Sequence, residues 1–274
     1  MTTSLSSEAV AKYRDEGYVA PIRVLPEVQA ETYRQRLERA TAVDPERAQA
    51  ILKLKSHMVF GCLNELVRHP AVLDAVEGVL GPDILVWTSS MFSKKPMSPD
   101  FVSWHQDIAY WGLEPPEIVT AWVALTDSSP DNGCMRVVPG THKLDVVAHR
   151  DTFAANNMLS RGQEVAVEVD EAKVVDIVLK PGEMSLHHTK IVHGSNANLS
   201  ARPRQGFAIR YIAPSVRQAK GAEDSVMLVR GKDRYKHFQY DPEPHTDFDR
   251  DALAAYDVIC ERMRKILMVA KPAM

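Results

Sequence analysis

His105 and Asp107 stand two residues apart in the stretch SWHQDIAYWG, ringed by Trp104, Tyr110 and Trp111. On a β-strand, residues i and i+2 point to the same face, so an imidazole and a carboxylate would converge on one point. His193 lies well downstream, just after the predicted strand EMSLHHT and before RQGFAIRY. Two imidazoles and one carboxylate can hold Fe(II) on one face and leave positions free for a bidentate oxo-acid and O2, the facial triad of non-haem iron oxygenases. Arg204 falls on the next predicted strand, where an always-charged guanidinium could grip a carboxylate bidentately. Ser195 could add a hydroxyl.

A His-x-Asp triplet is weak alone, since a chain of this length should hold about one by chance. Three occur here, so context must separate them. His149/Asp151, in HRDTFAANN, spells a kinase catalytic loop, but the glycine-rich loop, strand lysine and Asp-Phe-Gly of a kinase are missing. His245/Asp247 sits in the loop-like DPEPHTDFD, and no histidine follows it. His105/Asp107 precedes the strong strand IVTAWVALTD and has the aromatic flank that an apolar pocket needs. Other readings stand beside the iron centre: unrelated core and surface histidines, a cupin-like or lectin-like jelly roll that binds without turnover, and a zinc hydrolase built on the same three residues. The non-catalytic binding fold gives no reason for Arg204.

These side chains need elements to position them. SLSSEAVAKYRDEGYV reads as a helix capped by Ser6 or Ser7 and ended by Gly17. PEVQAETYRQRLERATAV, PERAQAILKLKSHMVF and HPAVLDAVEGVLGP follow as helical patterns, so residues 1–82 are expected to be mostly helical. Strands are predicted in DILVWTSSMFSKKP, EIVTAWVALTD, GCMRVVPGTHK, on both sides of Pro181-Gly182 in KVVDIVLKPGEMSLHHT, and in RQGFAIRYIAP. The tail DRDALAAYDVICERMRKILMVA reads as an amphipathic helix, and the polar stretch 149–164 as an insertion or lid. The class is therefore mainly β with flanking helices, an antiparallel sandwich or barrel. One domain over 1–274 is expected: a helical part to about 82, a core over 83–214 and an extension over 215–274.

The chain has 274 residues, 45% of them hydrophobic, enough for one sizeable core. A net charge of -3 with no long basic run argues against a nucleic-acid footprint. Three widely spaced cysteines without a CxxC argue against a disulfide framework and fit a reducing cytoplasm. The opening residues lack a basic n-region and an apolar h-region, and no apolar run approaches membrane-spanning length. A small-molecule partner is expected, with no nucleic acid and no membrane; monomer and homodimer are equally open.

The blocks WHQD, TAWVALTDSSPDNGCMRVVPGTHK and LHHTKIVHGSNANLSARPRQGFAIRY resemble, in order, the phytanoyl-CoA dioxygenase family of Fe(II)/2-oxoglutarate-dependent oxygenases. The likeness is strongest from about 83 to 214. It implies a double-stranded β-helix (jelly-roll, cupin-like) core. It also implies that His105, Asp107 and His193 are iron ligands, that Arg204 anchors the far carboxylate of 2-oxoglutarate with Ser195 in support, and that Trp122 packs near that cosubstrate. Fe(II), 2-oxoglutarate and O2 are implied, with ascorbate as a reductant. Family halogenases have Gly or Ala where Asp107 stands, so the resemblance implies hydroxylation or another oxidation, with release of succinate and CO2; desaturation and cyclisation are alternatives. Substrate-facing candidates are Lys95, Phe92, Trp104, Tyr110, Trp111 and His188, with Lys94, Gln106 and Asn132 behind them. Lys94 and Lys95 alternate faces, as do His187 and His188, so one of each pair is expected inside. The absence of a carrier module or basic CoA patch tilts the substrate toward a small free metabolite or natural-product intermediate.

Overall fold

The computed structural model describes residues 4–221 and 223–268. Helices run over Ser7–Glu16, Glu27–Thr41, Pro45–Ile51, Gly61–Val67 and Pro70–Leu80 before the main strands begin. Ser6 caps the first of them, its Oγ accepting from the Ala9 amide at 3.2 Å. Gly17 ends it in the left-handed region, φ 84°, with the His142 ring so close that a Cβ would meet Nδ1 at 2.4 Å. The helical expectation for the first part did not single out Gly61–Val67, ran the helix from Pro45 past its end at Ile51, and missed a strand. Tyr18–Arg23 is a strand on the edge of the large sheet, where Pro21 costs no ladder bond that a neighbour needs.

Two facing sheets make the β core. The larger has seven strands in the order Tyr18–Arg23, Glu183–His188, Ile118–Ala124, Arg204–Ile212, Ile84–Lys94, Ser225–Arg230, Gln239–Tyr240. The smaller has four, ordered Val102–His105, Val192–Ser195, Met135–Val138, Val175–Ile177. The principal pairings are antiparallel, and the two segments predicted about Pro181-Gly182 separate into different sheets.

Alternation decides what faces where. Along Ile118–Ala124, Val119, Ala121 and Val123 join the helices in one core cluster, while Trp122 and Ala124 join another with Met135 and Ile177 of the small sheet. Along Arg204–Ile212, Phe207, Ile209 and Tyr211 take the helix side, leaving Arg204, Gly206, Ala208 and Arg210 for the inner face. Burying a Val or Ile side chain there stabilises by about 1.5–3 kcal/mol each. The large sheet is thus apolar toward the helices and mixed toward the small sheet. That mixed inner face is the one that can carry chemistry.

The tail is a helix, Arg250–Met268, and the stretch 149–164 is bracketed by a short strand pair, His149–Asp151 with Gln163–Val165. Among the described residues no helix is long and apolar enough to cross a membrane.

Candidate metal centre

His105 ends its strand and pairs with His193 across the small sheet. Their ring centroids lie 4.1 Å apart. Asp107 is not on a strand: it sits in helical backbone, immediately before the turn Ile108–Trp111. The two-residue spacing still brings the side chains together, through a change of direction rather than a shared strand face. Ligand atoms of His105, Asp107 and His193 all lie within 4.8 Å of one another, and all three residues are buried.

The backbone sets the tautomers. His105 Nδ1 donates to the Ser103 carbonyl at 2.9 Å, and His193 Nδ1 to the Ile191 carbonyl at 3.0 Å. Each Nε2 is therefore left as a lone pair aimed into the site. His105 Nε2 stands 3.4 Å from Asp107 Oδ1. A neutral imidazole nitrogen and a carboxylate oxygen are both acceptors, so a cation between them is what the pair requires. Burial, and then the charge of His105, push His193 down to about 4, which keeps it in the neutral form a metal needs. Burial opposes ionisation of Asp107, but contact with His105 and the nearby charge of His193 and Arg210 hold its carboxyl well below the usual range. Thr120 Oγ1 donates to Asp107 Oδ2 at 3.4 Å. This donor set fits an Fe(II)-type ion with open positions.

A cavity runs from these residues to Arg204, lined also by Phe92, Val102, Trp122, Met135, Leu159, His187, Ser195 and Arg210. At the end away from Asp107, Arg204 is 2% exposed, its guanidinium 5.3 Å from the Trp122 ring centroid. Trp122 lies against Gly206 so tightly that a Cβ there would sit 1.8 Å from the indole. Lys94, 1% exposed, donates to Ser195 Oγ at 2.6 Å and to the Asn196 carbonyl. Burial, and then Arg204, push its amine down to about 7.

Several expected substrate contacts lie elsewhere. Lys95 is exposed, and Lys94 is the inward one, because the strand ends at Lys94 opposite Arg204. Trp104 points out of the small sheet, half-buried among Val138, Val165 and Val192, with the Arg136 guanidinium 5.3 Å from its ring. Tyr110 faces His149 edge-on at 5.4 Å and stacks with Arg161, outside the cavity lining. Trp111 packs on Trp87 at 5.1 Å and reaches the cavity only through Arg210 behind it. His188 turns away toward His142 and Tyr13, leaving His187 inside. Phe92 does line the cavity. Gln106 bridges Lys190 and Val147, and Asn132 closes a capping box, so both are structural. His149 accepts from the Gln106 amide, and Asp151 pairs with Arg161.

Sequence reasoning missed Arg210 and Thr120, and of the pair His187/His188 it chose the outward member. Arg210 had a signal: it stands at an even spacing from Arg204 on one strand, so both must face the same way.

Comparison with known proteins agrees with this architecture. A family model described as phytanoyl-CoA dioxygenase (PhyH) matches residues 13–206. A probable alpha-ketoglutarate-dependent hypophosphite dioxygenase of Stutzerimonas stutzeri is 31% identical over 57% of this chain and 55% of its own length, so the match spans about half of that relative. The peroxisomal phytanoyl-CoA dioxygenase of Homo sapiens is 33% identical over 52% of this chain and 43% of its own. Among solved structures, the non-heme monooxygenase ThoJ is 35% identical, with a TM-score of 0.84 over 94% of this chain and 97% of that one. With two histidines and a carboxylate converging in a cavity of a jelly roll that is lined also by a buried arginine, the chain belongs to the phytanoyl-CoA dioxygenase family of Fe(II)- and 2-oxoglutarate-dependent oxygenases.

Proposed function

We propose that this chain is a dioxygenase that hydroxylates an unactivated C–H bond of a small metabolite or natural-product intermediate, at the expense of 2-oxoglutarate and O2. One observation supports this above the others: lone pairs of His105 and His193 and the carboxylate of Asp107 converge in a cavity lined also by Arg204, with Lys94 behind it bonded to Ser195 of that lining, and neither cation is ion-paired to any carboxylate among the described residues. A buried cation without a counter-ion is costly, and the far carboxylate of 2-oxoglutarate would supply one.

His105, Asp107 and His193 would hold the metal, which when bound supplies, with 2-oxoglutarate and O2, the oxidising power that side chains lack. The rest falls to the chain. The Ser103 and Ile191 carbonyls orient the two imidazoles. Trp122 gives Arg204 a flat surface, and Ser195 and Lys94 stand beside it to complete the carboxylate cradle. Phe92, Val102, Met135 and Leu159 keep bulk water from the reacting carbon. Leu159 comes from the 149–164 segment, which thereby acts as a wall of the site. Because Asp107 would occupy a coordination position, oxygen insertion is favoured over halide transfer. The same reading takes the chain as one folded unit in a reducing cytoplasm, in keeping with three buried free cysteines.

The test is anaerobic addition of Fe(II) and 2-oxoglutarate, followed by admission of O2 with a metabolite library screened for stimulated succinate release and product mass. A visible charge-transfer band that needs both additions, and a product heavier by one oxygen, are expected. His105→Ala should lose the band and the turnover while keeping the fold by circular dichroism. Activity surviving that change, or a product lighter by two hydrogens, would overturn the ligand set or the hydroxylation, respectively.

A further inference from the structure

Arg210 is buried, lines the cavity, and leaves Nε without a hydrogen-bond partner among the described residues. Its Nη1 reaches Ser90 Oγ and, at 3.4 Å, the Ala208 carbonyl. It is not a second anchor at the Arg204 end: its charge is felt by Asp107, His187 and His193, whereas Arg204 is felt by Lys94 and Cys134. Strand register explains the surroundings. Arg210 pairs with Thr120, and Thr120 pairs with His187 on the next strand, so the three form a row across the inner face of the large sheet. His187 is 2% exposed, and its Nδ1 is likewise without a partner among the described residues. A guanidinium edge, a hydroxyl and an imidazole, two of them with orphaned buried nitrogens, thus meet beside the candidate metal ligands.

Charge points the same way. A divalent metal with Arg204, Arg210 and Lys94 would bring more positive charge than Asp107 and the doubly charged cosubstrate can neutralise, even with Lys94 deprotonated. An enclosed positive surplus calls for another anion.

Resting on the oxygenase reading above, we propose that Arg210, Thr120 and His187 form an oxyanion seat next to the metal ligands, and that it selects substrates bearing a carboxylate or a phosphorus oxyanion. Arg210 would provide the charge-assisted contact and His187 the orientation, and Thr120, whose proton goes to Asp107, would tie the row to the metal ligands. A carboxylate could also arrive there as the metal-side end of 2-oxoglutarate, and the experiment separates the two sources.

Protein saturated anaerobically with Fe(II) and 2-oxoglutarate is titrated with acetate and with inorganic phosphate, followed by its visible band. At least one anion should perturb the band saturably. Arg210→Gln should weaken that anion by about tenfold to a hundredfold, the loss of one charge-assisted contact, while the 2-oxoglutarate band forms at nearly unchanged concentration. His187→Phe should weaken the anion less and serves if the arginine variant fails to fold. An anion effect that persists in Arg210→Gln would mean binding at the metal and overturn the seat, as would two anions with no effect on the wild type. Loss of the 2-oxoglutarate band in Arg210→Gln would give the row to the cosubstrate and overturn substrate selection. A wild type that never forms the band would instead sink the oxygenase reading itself.

Discussion

Two buried clusters in this molecule each combine histidine, carboxylate and cation, and they are built in opposite ways. Behind the large sheet, Lys55 spends its ammonium on the Trp87 carbonyl at 2.7 Å, the Ser225 carbonyl at 2.8 Å and Asp241 at 2.7 Å. Lys55, Asp241 and the adjoining His57 are all fully buried, and His57 is held through Nδ1 by Ser89 at 2.8 Å. Inside the barrel, among the described residues, Asp107 has no lysine or arginine bonded to it, and Arg204, Arg210 and Lys94 have no carboxylate. Charges that meet each other close a structure; charges kept apart around a cavity leave room for ligands. Ser89, His57 and Asp241 even follow the residue types of a hydrolytic triad, but His57 Nε2 is 3.8 Å from Asp241 and the whole set is sealed.

Substituting each cluster's cation by methionine tests that contrast. Lys55→Met strips the partner from a buried Asp241, and losing one member of a buried pair costs about 3–5 kcal/mol. The expected result is a large drop in the denaturation midpoint with 2-oxoglutarate affinity unchanged in the molecules that remain folded. A loss below about 1 kcal/mol would show that Asp241 is solvated and the cluster is not closed.

Arg204→Met should behave the other way round. Removing a cation that has no counter-ion leaves ligand-free stability unchanged or higher. The affinity for 2-oxoglutarate should fall by roughly 2–5 kcal/mol, since the cosubstrate's far carboxylate loses its charged partner. Calorimetric titration and denaturant unfolding of the same samples separate the two quantities. Destabilisation equal to that of Lys55→Met would mean that Arg204 holds the fold together, and the contrast would be lost.

How much of this was legible beforehand depended on whether a signal was periodic or a matter of phase. The strands around Val119–Val123 and Phe207–Tyr211 were readable because one face of each is apolar or aromatic at every second residue, in β-branched and aromatic sequence. The His105, Asp107, His193 and Arg204 set could be picked from many candidates because its members fell beside those strands. Phase was the weak point. Of the adjacent pairs Lys94/Lys95 and His187/His188, sequence says that one enters the barrel, but which one depends on register against Arg204 and Thr120, a tertiary fact. The choice of Lys95 and His188 was wrong for that reason. Trp104 follows the same logic, since it must face away if His105 faces in. The strand Tyr18–Arg23 was hidden because it follows directly on a capped helix and contains a proline, which only an edge position tolerates.

The smallest effect concerns the outward partner of the inner histidine. His188 is pushed down to about 4, by burial and then by His142 and Lys190, and its Nδ1 accepts from the Lys190 amide at 3.0 Å. That bond requires the neutral ring. The unfolded chain would take up a proton near the ordinary histidine pKa of about 6.5, while the folded one resists until about 4. Between those values the unfolded state binds more protons, so stability rises with pH through that window and is lost as pH falls through it. His188→Asn keeps an acceptor without a titrating ring. The variant should match the wild type at pH 7.5 and lose less stability than the wild type on going to pH 5, measured by thermal melting of metal-free protein. Parallel losses would place the acid sensitivity elsewhere, with the inward-facing His187, which burial also holds well below its usual value, as the next residue to replace.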